Sequence, residues 1–284
     1  MLCSMDPAVS DGRLTVALIS DVFFDAGGDQ RLVDSLHAAR AGGADLAVLP
    51  EIGLDPWAPA TPTARPEDAE APGGRRLQLL ARACREAGVG VVGGAIVLDT
   101  DGRRHNTALI VDADGELVAS YAKSHLPEEP GFWETSHYEP GRTAAGAIRA
   151  FALPFGVQIC SDVNRPEGSH ALAAAGAEAI LVPRATEAAT WERWRVVMRA
   201  IALTSCAYVL SVNRPRPEAG VLLGGPSIAV APDGTVLLET TDPLAIVTLE
   251  RGVVGAARRQ YPGYLPVRSR LYADAWAAVV RDGD

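Results

Sequence analysis

Along the chain, nearly continuous apolar blocks of five to ten residues alternate with stretches whose apolar positions recur every three or four residues. "LTVALIS" (14–20) and "DLAVLP" (45–50) read as buried strands, and "DQRLVDSLHAARAGG" (29–43) between them as an amphipathic helix ending in glycine. After a proline-rich loop (56–72), "RRLQLLARACREAG" predicts a helix and "VGVVGGAIVL" a strand. "HNTALIVDADGELVASYAK" (105–123) predicts a hairpin around an Asp-Gly turn. The second half repeats the style, with strands at "GVQIC", "EAILVP", "AYVLSVN" and "LAIVTLE" and helices at "PEGSHALAAAGA" and "ATWERWRVVMRAIALTSC". A second Asp-Gly hairpin stands at "PSIAVAPDGTVLLET". Strands alternating with helices and hairpins, with no linker and no solenoid repeat, predict a layered α/β sandwich. The expected organisation is one domain over 1–284, with a C-terminal tail from about 251 to 284.

Composition narrows the function classes. The chain is 48% hydrophobic and 21% charged, ordinary values for a globular protein. Its formal net charge of −9 argues against nucleic acid or an anionic membrane as partner. No apolar run approaches the roughly 20 residues of a membrane span. The start, "MLCSMDPAVSDGRL", has no basic segment followed by an apolar one, and Met5 competes with Met1 as the first residue. Cys3, Cys84, Cys160 and Cys206 lie far apart, without the spacing of a zinc site or a disulfide frame. Free thiols suit a reducing cytoplasm, and no metal or cofactor is expected.

Two motif matches fail on context. "GVGVVG" (88–93) fits a dinucleotide fingerprint, but it follows a helix and is itself strand-like, the reverse of what that loop requires. "SYAK" (120–123) fits the Ser-x-x-Lys of penicillin-binding enzymes, yet positions three apart on a strand point to opposite faces.

Three stretches end a predicted strand with a reactive group: "LAVLPEIGLDPW" with Glu51, "LVASYAKSHLPEEPGFWE" with Lys123, and "FGVQICSD" with Cys160. Strand ends at the rim of an α/β sheet are where sites are built. These stretches, with "GADLAVLPE", "NTALIVDADGELVASYAKSHL", "CSDVNRPE", "GAEAILVPRA" and "VNR" ahead of "GGPSIAVAPDG", resemble the nitrilase, or carbon–nitrogen hydrolase, superfamily. "KSHLPEEPGFWETSHYEPG" is similar to its N-carbamoylputrescine amidase branch, where a further glutamate falls at Glu134. The resemblance implies an α-β-β-α sandwich that pairs as a homodimer or assembles into a higher homo-oligomer. It also implies a catalytic Glu51–Lys123–Cys160 triad attended by Glu134, acting on a small amide or N-carbamoyl compound. The chemistry suits these residues. A thiol near pKa 8.5 needs activation, Glu51 can take its proton, and Lys123 with the Ser161 N–H can hold an oxyanion.

The branch pattern is not kept throughout: Ser161 and Arg165 stand where aromatics are frequent, and "PRATEAATWERW" replaces a shorter run. The substrate therefore does not carry over. Arg184 and Arg165 are candidates to read a substrate carboxylate, Arg184 alternatively pairing with Glu187 or Glu192, and Trp133 is a candidate wall residue. A cationic substrate steered by Glu128, Glu129 and Asp55 is the competing expectation. Rival readings are nitrile hydrolysis on the same triad, a Cys–His hydrolase using His125 or His137, and a catalytically silent binding protein. The expected dimer face comprises residues 171–175 and 195–203, with 261–272 reaching across.

Overall fold

A computed structural model describes residues 12–279; the expectations for Cys3 and for the start at Met1 or Met5 lie outside the described residues. The first half contains β1 (Arg13–Ile19), α1 (Gly28–Ala41), β2 (Leu46–Val48), β3 (Ala69–Glu70), α2 (Arg75–Ala87), β4 (Gly90–Leu98), β5 (Arg104–Val111), β6 (Leu117–Ala122), β7 (Glu128–Glu129) and β8 (Phe132–Trp133). The second contains β9 (Phe155–Val157), α3 (Pro166–Ala174), β10 (Ala179–Arg184), α4 (Trp191–Ser205), β11 (Tyr208–Asn213), β12 (Ser227–Val230), β13 (Val236–Thr240), β14 (Leu244–Glu250), α5 (Arg251–Arg259) and α6 (Ser269–Ala277).

Two sheets form. One has the order β14-β1-β2-β4-β5-β6 with β3 added beside β4, and the other β13-β12-β11-β10-β9. Strand parity explains the layers. On β1, Leu14, Val16 and Leu18 point to a core shared with Phe155 and Val157 of β9, Leu181 of β10 and Leu210 of β11. Ala17 and Ile19 point the other way, against Leu32 and Leu36 of α1 and Leu80 of α2. Across the second sheet, Ile180 and Val182 leave the shared core and meet Met198 and Ile201 of α4 and Leu172 of α3. Each central strand is buried on both faces, so its sequence is continuously apolar. The result is the expected α-β-β-α sandwich. No helix among the described residues is long and apolar enough to cross a membrane.

The motif exclusions stand. Gly88 caps α2 in the left-handed region at φ 67°, and the rest of "GVGVVG" enters β4. Ser120 faces solvent on β6 while Lys123, just past the strand, is buried.

Some elements differ from the sequence expectation. "GVQIC" is strand only through Val157, because the chain turns away before Cys160. The proline-rich loop holds two short 3-10 turns and β3, which gains its order from pairing with β4 rather than from any local pattern. The tail folds into α5 and α6.

Candidate active site

Glu51 sits three residues past β2, in a turn that needs outside support. Ile52 has φ 47°, an unfavourable conformation for a β-branched residue. Arg214 supplies that support: its Nη1 donates to the carbonyls of Glu51 and Ile52, both at 2.8 Å, and Nη2 to that of Asp55 at 2.8 Å. The guanidinium is held in turn by both oxygens of Glu218 at 2.8 and 2.6 Å, and lies over the Trp57 ring. Gly94 of β4 completes the cradle, since a Cβ there would stand 3.2 Å from the Ile52 nitrogen.

Lys123 follows β6 and is fully buried. Its Nζ donates to Glu51 Oε1 at 2.8 Å and to both oxygens of Glu134 at 2.7 Å. Glu134 arrives on a 3-10 turn after β8 and is also buried. Asn106 Nδ2 donates to the same Glu51 oxygen at 2.8 Å, whereas Glu51 Oε2 is buried with no hydrogen-bond partner among the described residues. Burial pushes Glu134 up to about 8; Lys123 opposes this and Glu51 reinforces it. Burial works against the Lys123 charge, but Glu134 and Glu51 outweigh it and hold the ammonium above its ordinary range. Tyr138, buried against Glu134, is likewise raised.

Cys160 opens a 3-10 turn at φ 47°, a strained backbone for a non-glycine residue and one that recurs at functional turns. Asp162 fixes that turn. It accepts from the Ile159 N–H at 3.1 Å and the Tyr121 hydroxyl at 2.9 Å through Oδ2. Through Oδ1 it accepts from the N–H groups of Ser124 and His125 at 3.1 and 2.9 Å. One carboxylate thus ties the cysteine turn to the chain that follows Lys123. The Cys160 thiol lies 3.7 Å from the Ala185 carbonyl, its acceptor. Burial first, then Glu51, push the thiol well above its ordinary range while Lys123 pulls it down, so the resting group is the protonated thiol.

A cavity of about 170 Å³ opens onto Cys160, Ser161 and Glu134, with Phe132 and Trp194 as aromatic walls and Glu129 and Glu187 among its polar lining. Ser161 turns its hydroxyl to the His125 carbonyl. Arg165 is exposed and Trp133 half-buried, and neither lines this cavity. Arg184 stands behind the wall rather than at it. Sharing parity with Ile180 and Val182, it faces α4, where its guanidinium lies 5.1 and 5.8 Å from the rings of Trp191 and Trp194. It donates to Ser211 Oγ at 3.1 Å, to Thr186 Oγ1, and to the Pro226 carbonyl at 2.6 Å. Neither Glu187 nor Glu192 accepts from it. His125 gives its Nδ1 to Asp162 and His137 its Nε2 to the Thr61 carbonyl; neither ring lines the cavity. Among the described residues, no cluster of three or more His, Cys, Asp or Glu is placed to hold a metal ion.

The sequence reading missed Asn106, Tyr138, Asp162 and Arg214 as site residues. Their signal was present: each stands inside a stretch that carried the family resemblance, in "HNTALI", "SHYEPG", "CSD" and "VNR".

The sequence profile of the carbon–nitrogen hydrolase family matches residues 19–259. A hydrolase from the pqqF 5′ region of Pseudomonas protegens is 32% identical over 239 residues, 84% of this chain and 82% of that protein. An omega-amidase from Homo sapiens is 28% identical over 255 residues, 86% of this chain and 90% of its own. Among solved structures, a carbon–nitrogen hydrolase from Helicobacter pylori G27 superposes with a TM-score of 0.82 at 17% identity, covering 93% of this chain and 98% of that one, a likeness of fold. The chain belongs to the carbon–nitrogen hydrolase family and is an enzyme of that class.

Proposed function

We propose that this enzyme hydrolyses a small amide or N-carbamoyl compound through a thioester on Cys160. The observation that carries the reading is the fully buried Lys123 bridging Glu51 and Glu134 beside the cavity that holds Cys160. The similarity to an omega-amidase supports amides as the substrate class.

In acylation, Cys160 sulfur attacks the carbonyl carbon while its proton passes to Glu51, whose Oε2 has no hydrogen-bond partner among the described residues. The carbonyl oxygen becomes an oxyanion held by Lys123 Nζ and the Ser161 N–H. All three lysine N–H groups have acceptors in the resting site, one on Glu51 and two on Glu134, so Nζ gives up one carboxylate oxygen to turn to the oxyanion. Collapse breaks the C–N bond as Glu51 returns the proton to the leaving nitrogen. Glu51 then removes a proton from water, the resulting hydroxide attacks the thioester carbon, and the sulfur leaves as the acid product forms. The proton on Glu51 returns to the sulfur. A neutral resting thiol fits this base-assisted route better than a standing thiolate does.

The test is ammonia release from a panel of aliphatic amides, ω-amides, N-carbamoyl amines and nitriles. Release from amides or carbamoyl compounds, lost in Cys160→Ala, is expected. Release from nitriles alone would move the enzyme to nitrile hydrolysis, and no release from any would leave a silent binding protein.

We propose a homodimer as well. Val196 and Leu203 of α4 and Tyr261, Tyr264, Leu271 and Tyr272 in the tail are exposed apolar or aromatic groups on the face expected to pair. Light scattering at micromolar concentration should give twice the chain mass; a strict monomer overturns this.

A further inference from the structure

We infer that Arg184 is a positioning residue whose fixed positive charge, set behind the cavity wall, is matched to the anion that forms at Cys160 during acylation and not to a carboxylate of the substrate. The inference rests on the reading of Cys160 as nucleophile.

Arg184 is fully buried, and every hydrogen-bond partner of its guanidinium is uncharged: a serine hydroxyl, a threonine hydroxyl and a proline carbonyl. A buried cation without a counter-ion is costly, so its retention calls for a compensating anion. Burial draws Arg184 down to about 10, which leaves it charged at neutral pH. Its neighbours place that charge against the reaction centre. The next residue, Ala185, offers its carbonyl to the Cys160 thiol. Thr186 and Trp194, both in contact with the guanidinium, line the cavity onto which Cys160 opens.

The cavity itself argues against a substrate acid as the missing anion. Its acidic lining residues are Glu129, Glu134 and Glu187, Glu134 being raised to about 8 by burial, with no lysine, arginine or histidine among them. A substrate carboxylate entering there would meet like charge at the wall and find the guanidinium's donors committed elsewhere. Besides Glu51, which acts on Arg184 through space, the anion that arises within reach is transient: the sulfur as it loses its proton, and the oxyanion of the tetrahedral adduct. The other groups facing Cys160 are Glu51, Glu134 and Lys123, with Tyr138 behind Glu134. Lys123 is hydrogen-bonded to two carboxylates, whereas Arg184 is hydrogen-bonded to none and meets Glu51 and Cys160 only through space. Asp162, two residues on, is occupied by backbone N–H groups, His125 and Tyr121.

The experiment compares wild type with Arg184→Met and Arg184→Lys. Its first readout is the pH profile of iodoacetamide alkylation at Cys160, located by peptide mass spectrometry. The others are kcat and KM on a neutral amide, kcat/KM on an acid substrate and its methyl ester, and the melting temperature. Arg184→Met should move the alkylation profile up by about one pH unit, slowing the reaction about tenfold at neutral pH. It should lower kcat with KM nearly unchanged, reduce acid and ester equally, and leave the melting temperature at or above that of wild type. Arg184→Lys should restore most of the profile. An unshifted profile, or a Met variant that melts early or does not fold, makes Arg184 a structural residue and overturns the inference. Selective loss of the acid substrate overturns it in favour of carboxylate reading. If no amide turns over at all, the proposed function fails while the alkylation profile still decides the role of Arg184.

Discussion

Replacing Lys123 with methionine tests the centre of the site in two independent ways. The substitution keeps much of the side-chain volume and removes a cation that lies 2.8 Å from Glu51 and 2.7 Å from both oxygens of Glu134, all three side chains being buried. Deleting one partner of a buried ion pair typically costs about 3–5 kcal/mol. At roughly 2 °C per kcal/mol for a chain of this size, the melting temperature should fall by about 6–10 °C. The loss should depend on pH. Glu134 is already raised from 4.5 to about 8 by burial and Glu51, against the pull of Lys123. Without the lysine it rises further, so the folded state binds a proton that the unfolded chain releases near 4.5. A group whose folded pKa is raised stabilises fully below its unfolded value and loses that contribution as pH climbs through the folded one. Because wild-type Glu134 also holds its proton up to about 8, the deficit should be level from pH 5 to about 8 and grow above that. In activity, the loss of an oxyanion donor should slow acylation about 100- to 1,000-fold. Thermal melts at pH 5–9 and single-turnover ammonia release, both on folded protein, measure the two effects. Acylation within tenfold of wild type would remove Lys123 from the oxyanion site. A melting deficit that does not change with pH would contradict the coupled buried carboxylates.

Arg214→Met should cost about 3–5 kcal/mol by stranding buried Glu218, and the folded fraction should show a lower kcat because the Glu51 turn loses its clamp; full activity in the folded variant would deny Arg214 that role. Glu51→Gln should abolish amide turnover with the fold retained, while His125→Ala should stay within a few-fold of wild type in the same ammonia assay; the reverse pattern would point to a Cys–His hydrolase. Asp162→Asn should lower kcat more than it raises KM, because it slackens the link between the Cys160 turn and the segment after Lys123; a change confined to KM would place Asp162 in substrate binding instead.

Much of the fold was legible because burial writes itself into composition. β1 is apolar at Leu14, Val16 and Leu18 for one core and at Ala17 and Ile19 for another, so a doubly covered strand was readable without alternation. The Asp-Gly hairpins were readable because the turn chemistry is local. The break before Cys160 was not. Nothing local marks a cysteine for φ 47°; Asp162 holds the turn through a bond from Ile159 three residues back and long-range bonds from Ser124 and Tyr121. Arg184 shows a signal that was present but unread. Its place in "AILVPR" gives it the parity of Ile180 and Val182, which sends it toward the helices and behind the cavity wall. Arg214 and Asn106 act across more than 50 residues of chain, a distance over which spacing carries no information.

The central claim, a covalent acyl-enzyme on Cys160, is tested most directly by intact-protein and peptide mass spectrometry after quenching the reaction with a slowly deacylated amide. The account predicts a mass gain equal to the acyl group, one per active chain, on the peptide containing Cys160 and absent in Cys160→Ala. An adduct on Cys84, Cys206 or any other residue would contradict it, as would sustained turnover by the Cys160→Ala protein.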